Sequence, residues 1–152
     1  MSFEIKEMTV KSTDNIHTLV GRIYIPEGEV KGIFHIVHGM TEYIDRYDHL
    51  MSFLAENGYV VFGYDHLGHG YTAADHSELG YIADKRGYDL LLRDVKGFSD
   101  ALRDEYGRDL PYVLMGHSMG SFIARLAAEK YVTPDALIIM GTGGPNPIAG
   151  VG

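Results

Sequence analysis

Residues 114–121 read LMGHSMGS, and within them Gly116-His117-Ser118-Met119-Gly120 sets a serine between glycines two positions to either side. The stretch falls between an apolar run, PYVLMG (111–116), and a segment in which Phe122, Ile123, Leu126 and Ala127 recur with helical spacing. In that context G-x-S-x-G is the pattern of a sharp strand-to-helix turn that lifts a serine hydroxyl out as a nucleophile. The glycines remove Cβ atoms that would strike the neighbouring strand and helix. The N–H of Met119, at the helix N-terminus, lies where partial positive charge helps hold an oxyanion. The chemistry on offer is attack on an acyl carbonyl. The competing reading is a glycine-rich connection with an incidental serine.

Two further stretches have the composition of site loops. HGMTEYIDRY (38–47) follows the apolar run GIFHIVH (32–38); Gly39 permits close backbone approach, and the N–H of Met40 is the expected second oxyanion donor. DHLGHG (65–70) follows YVVFGYD (59–65). Its His66 and His69, spaced i, i+3 beside Asp65, admit a weak metal site, but no fourth ligand is evident. The favoured reading is a loop locked by its own hydrogen bonds, with histidines packed behind the site. Tyr43, Tyr47 and Tyr71 are candidates for lining a pocket or for ordinary packing.

The elements that must position these loops follow from periodicity. FEIKEMTV (3–10) and TLVGRIYI (18–25), with STDN between them, predict an antiparallel hairpin. Thereafter strands alternate with helices. Tyr47, Leu50, Met51, Leu54 and Ala55 share one helical face closed by Asn57-Gly58, and Tyr88, Leu91, Leu92, Val95, Phe98 and Leu102 form a long stripe ending near Gly107. DALIIMG (135–141) is the last strand. The pattern predicts an α/β fold with a mostly parallel sheet covered on both faces, whose ligands lie outside the carboxyl ends of the strands. All three unusual loops fall at those ends.

Composition narrows the classes. With 152 residues, 45% of them hydrophobic, the chain is long enough for a single globular core. A net charge of −8 without a basic run argues against nucleic acid as a partner, and zero cysteines exclude disulfides, thiolate metal sites and cysteine nucleophiles. The N-terminus lacks the apolar core of a signal peptide, and no apolar run reaches the ~20 residues of a membrane span, so a cytoplasmic location is expected. No cofactor is expected.

Together the three loops resemble the α/β-hydrolase superfamily, particularly its monoacylglycerol lipase and lysophospholipase-like branch. An H-G-x-x-E-x-x-x-R-Y segment of that branch is matched by His38, Gly39, Glu42, Arg46 and Tyr47. Its D-x-x-G-H-G loop is matched by Asp65, Gly68, His69 and Gly70, and its G-H-S-M-G elbow by Gly116 to Gly120. The resemblance implies that Ser118 attacks an ester carbonyl of a small acyl or lipid-like substrate, with Met40 and Met119 as oxyanion donors. A serine peptidase of the same fold and a non-catalytic binding module are the alternatives.

In that family the catalytic acid and histidine follow the serine along the chain, after the seventh and eighth strands. Here no histidine follows His117, and Asp135 lies at the wrong end of its strand. His38 and His69 are the residues at the right sheet edge to act as a surrogate base. The expectation is therefore the N-terminal, nucleophile-bearing part of a hydrolase domain, truncated after about six strands, with the cap absent and cleavage or truncation in the loop Gly144–Pro147 as the origin of its end. Such a chain should be weakly active alone and should self-associate or take a complementary C-terminal segment on its open sheet edge.

Overall fold

The computed structural model describes residues 2–144; the expected cleavage loop Gly144–Pro147 lies outside these residues from position 145 onward. Six strands form one sheet: β1 (Phe3–Lys11), β2 (Thr18–Pro26), β3 (Gly32–Val37), β4 (Tyr59–Tyr64), β5 (Tyr112–His117) and β6 (Ala136–Met140), in the order β1-β2-β4-β3-β5-β6. The hairpin pair is antiparallel, β2 also meets β4 antiparallel, and β4, β3, β5 and β6 run parallel. This is the expected mixed sheet. Its central strands are buried along nearly their whole length, which is why they read as unbroken Val/Ile/Leu/Phe runs rather than as alternation.

Among the described residues three α-helices cover the faces: α1 (Asp48–Glu56), α2 (Gly87–Tyr106) and α3 (Met119–Lys130). The stripe Leu91, Leu92, Val95, Phe98 and Leu102 of α2 packs with Ile123, Ala124 and Ala127 of α3 in one core. On the opposite face Met51 and Ala55 of α1 meet Phe34, Ile36, Val61 and Met115 in a second. Tyr47, expected within the first helix, instead closes a 3-10 turn (Ile44–Tyr47) that leads into it. The turn lets Ile44 bury completely while its amide reaches Asp65.

Parallel register carries the site loops to one edge. Ile36 lies opposite Gly63, and Val37 opposite Gly116, so the chain leaves β3, β4 and β5 at neighbouring points. Among the described residues β6 pairs with β5 alone, and its Leu137, Ile138, Ile139 and Met140 are each at least 40% exposed.

Candidate active site

Ser118 sits at φ 53°, ψ −121°, in the positive-φ half of conformational space that side-chain-bearing residues avoid, between the end of β5 and the first residue of α3. Several bonds hold the strain. Ser118 donates its N–H to the Met140 carbonyl at 2.9 Å, and its own carbonyl accepts from the Ser121 amide and hydroxyl at 2.9 and 2.6 Å. Gly116 and Gly120 are dictated by close approach: a Cβ on the first would overlap the Gly120 carbonyl, and one on the second would overlap the Val37 carbonyl. Met119 is the first residue of α3, so its amide is one of the donors that no helix carbonyl can satisfy.

The β3 loop is organised by Glu42. Its Oε1 accepts from the Gly39 amide at 2.5 Å, the Tyr47 hydroxyl at 2.7 Å and His117 Nδ1 at 3.1 Å. Partial burial pushes this carboxyl up, but the three donors together hold it below the usual range. With the Gly39 amide thus committed, the next amide, that of Met40, has no hydrogen-bond acceptor among the described residues. Gly39 itself packs close to the elbow, since a Cβ there would lie 3.0 Å from that of Ser118. The reach of Glu42 to both the loop and the elbow residue His117 is not readable from spacing. Only its place in the H-G-x-x-E segment flags it.

The β4 loop is tied to the β3 loop by Asp65, whose Oδ1 accepts from the Ile44 amide and Oδ2 from the Tyr71 amide, both at 2.8 Å. Burial pushes its carboxyl up while these donors pull it down. Gly70 lies where a Cβ would overlap that carboxylate. Gly68 (φ 71°) backs onto Tyr81 and accepts from the Gly80 amide at 2.8 Å, folding the loop over.

The histidines do not form a metal site; among the described residues no group of three or more His, Cys, Asp or Glu side chains is placed to hold an ion. Instead His38 and His66 clamp the two loops reciprocally. His38 Nε2 accepts from the His66 amide at 3.0 Å, and His66 Nε2–H donates to the His38 carbonyl at 2.9 Å. His38 Nδ1–H donates to the Gly39 carbonyl at 2.7 Å. Burial lowers the His38 pKa to about 4 and takes that of His66 well below its ordinary value, so both are neutral. His38, expected as a possible surrogate base, has both ring nitrogens engaged. His69 donates Nδ1–H to the Leu67 carbonyl at 2.9 Å and borders the cavity described below. Among the described residues no side chain hydrogen-bonds the Ser118 hydroxyl. The clamp role of His66 escaped the sequence, where the i, i+3 spacing suggested only a ligand pair.

A cavity of about 510 Å³ opens beside the elbow, lined by Met40, Tyr43, His69, Leu79, Ile82 and Met119 among others. Of the three tyrosines, Tyr43 lines it, Tyr47 serves Glu42, and Tyr71 is 67% exposed elsewhere. The wall segment 74–80 is tethered from the hairpin turn by His17, whose Nδ1 lies 2.5 Å from Asp14 and Nε2 3.1 Å from Glu78; Glu78 also accepts from the Ala74 amide. The Asp14 hydrogen bond, with help from Glu78 and against partial burial, raises the His17 pKa above its ordinary 6.5. Because the folded value is raised, this tether contributes fully below pH 6.5 and is lost as pH rises through the folded value. Protection of the residue 74–80 amides, corrected for the intrinsic rise of exchange with pH, should therefore fall as pH rises above 6.5 in the wild type but stay level in His17→Gln. Equal pH slopes in the two proteins would remove this role.

A mixed sheet of this order, with a strained serine between a parallel strand and a helix, defines the α/β-hydrolase fold. The chain belongs to the family described as serine aminopeptidase, S33, which matches residues 28–144. It is 33% identical to the monoglyceride lipase of Mus musculus over 112 residues, covering 74% of this chain and 35% of that protein. With the Homo sapiens monoglyceride lipase the identity is 34% over 109 residues, 72% of this chain and 34% of the other. A highly thermostable carboxyl esterase from Bacillus coagulans superposes with a TM-score of 0.88 at 36% identity, covering 97% of this chain and 47% of that one. The chain thus spans about a third of the length of these curated relatives. No helix among the described residues is long and apolar enough to cross a membrane.

Proposed function

We propose that this chain is the nucleophile-bearing, N-terminal part of one α/β-hydrolase domain that cleaves carboxylic esters of lipid-like acyl groups. The observation that carries the reading is the strained backbone of Ser118, set directly against the Met40 loop. Ser118 Oγ attacks the ester carbonyl as its proton passes to a base. The Met40 and Met119 amides hold the oxyanion, collapse expels the alcohol, and water then releases the acid from the acyl-serine. Nothing in this sequence of steps calls for a cofactor. The base and its orienting acid come from a complementary segment that pairs with the open edge of β6. The absence of cysteine fits action in the cytoplasm.

Esters are favoured over aminopeptidase substrates by the chemistry of the cavity. Met40, Tyr43, Leu79, Ile82 and Met119 make most of its wall apolar, which suits a hydrocarbon acyl group, and Oε1 of Glu42 is committed to the Gly39, Tyr47 and His117 donors. The relatives named lipases and an esterase point the same way.

Complementation tests the proposal. The chain, co-expressed with the C-terminal portion of the Bacillus coagulans esterase that it does not cover, should gain hydrolysis of p-nitrophenyl butyrate. A stable, well-folded complex without any turnover would point to the non-catalytic module instead.

A further inference from the structure

The cavity beside Ser118 does not end at its own wall. A second cavity of about 510 Å³ lies behind it, and Gly80, Ile82 and Met119 line both. The second chamber runs along the seam between α2 and α3, where Leu91, Ile123 and Leu126 form its floor and Tyr88 and Phe122, 58% and 45% exposed, its rim. No side chain charged at neutral pH lines it. The two chambers thus adjoin at Ile82, and the first is lined by Met40 and Met119, the two proposed oxyanion donors.

The geometry points to a two-chamber acyl-binding groove in which Ile82 sets how long an acyl chain is accommodated, an inference that rests on the ester-hydrolase reading above. The occupant is the hydrocarbon tail of the acyl group. Its carbonyl lies at the Met40 and Met119 amides, and the first methylenes fill the chamber walled by Leu79 and Ile82. Tails long enough to pass Ile82 continue over Leu91 and Leu126 toward Phe122. Two features of the chain favour this occupant: the near chamber is lined by Met40 and Met119, the proposed oxyanion donors, and the far chamber is lined by no charged side chain, its polar side-chain groups being the Tyr81 and Tyr88 hydroxyls. Ile82 stands as a divider because its side chain is half-buried against the α2–α3 core and its Cγ2 packs toward Gly87.

The test needs no turnover. Methyl ketones with butyl, octyl and dodecyl tails mimic the ester without being cleaved, and they are titrated into the chain carrying labelled Ile and Met methyl groups. Affinity should rise from butyl to octyl by up to about four-fold per methylene, with the Met40, Ile82 and Met119 methyls shifting together. Ile82→Trp should weaken octyl and dodecyl binding, and Ile82→Ala should strengthen dodecyl binding; opposite signs at one position cannot come from a general loss of folding. Affinity that is flat across the series overturns the inference, as do shifts confined to Met115, Ile138 and Met140 on the other face, or a far chamber closed to ligand by further polypeptide. Ser118→Ala should keep the full length dependence. Length-dependent binding with no turnover after complementation would sink the catalytic reading and leave the groove, whereas turnover without length dependence would do the reverse.

Discussion

Replacing Ser118 with alanine should leave p-nitrophenyl butyrate hydrolysis by the 152-residue chain unchanged within about two-fold, yet abolish nearly all of it in the complemented enzyme. The contrast follows from how serine, base and acid act as a unit. Where the base is missing, the hydroxyl cannot be deprotonated as it attacks, so deleting it removes almost nothing further. What remains in either case is the ~10³–10⁴-fold that oxyanion donors and binding supply. Once a base is in place, the serine and base together are worth ~10⁶-fold in comparable enzymes, and the alanine variant should lose about that much kcat with little change in KM. The expectation rests on the histidines nearest the elbow: His38 has both nitrogens bonded, His66 is enclosed, and His117 Nδ1 lies 3.1 Å from Glu42, so none of these hydrogen-bonds the serine hydroxyl. A large loss in the chain alone would mean that a base lies within these residues. His69, whose Nε2 is not used by the Leu67 contact, would then be the first to substitute.

Asp65→Ala is expected to have the largest effect on the scaffold of the site. It strips the acceptor from two backbone amides, Ile44 and Tyr71, at the junction of the two loops. Each buried donor left unsatisfied costs about 1–3 kcal/mol, and the relief of removing a buried carboxylate offsets part of that sum. A net loss of about 3 kcal/mol should lower the melting temperature by roughly 6–12 °C in a chain of this size. Asp65→Asn, which keeps one acceptor, should lose about half as much. Faster exchange of the Ile44 and Tyr71 amides would localise the effect. In the complemented enzyme the displaced Met40 loop should reduce kcat about 10²-fold, the usual consequence of misplacing a catalytic group by an ångström. A stability change below about 1 kcal/mol would show that Asp65 is not the link between the loops.

The two variants probe different layers. Ser118 belongs to the reacting set, where effects multiply with the presence of partners. Asp65 belongs to the frame, where effects are felt whether or not the reacting set is complete. Measuring both in the chain alone separates a protein that is correctly built but lacks a base from one whose loops are not assembled.

The sequence by itself determined the order and kind of the elements. Buried parallel strands must be apolar on both faces, so β3, β4 and β5 stand out as short hydrophobic runs, and the α2 stripe repeats at helical spacing because one face alone meets the sheet. The elbow was equally legible, since G-x-S-x-G stands between a strand run and a helical segment; Gly116 is forced locally by the Gly120 carbonyl, whereas Gly120 is forced by the Val37 carbonyl across the sheet. What the sequence could not determine were contacts between loops far apart in the chain. Glu42 meets His117 across 75 positions, and His38 and His66 exchange backbone hydrogen bonds across 28; no local periodicity encodes such pairings. The i, i+3 histidines admitted a metal reading until burial and backbone partners for both side chains gave them a structural task. The two-chamber groove likewise exists only because the loop after β4 folds back through the Gly68–Gly80 hydrogen bond and brings Ile82 beside Met119. Short-range sterics and burial patterns write themselves into sequence, whereas the meeting of distant loops is decided by the register of the sheet that carries them.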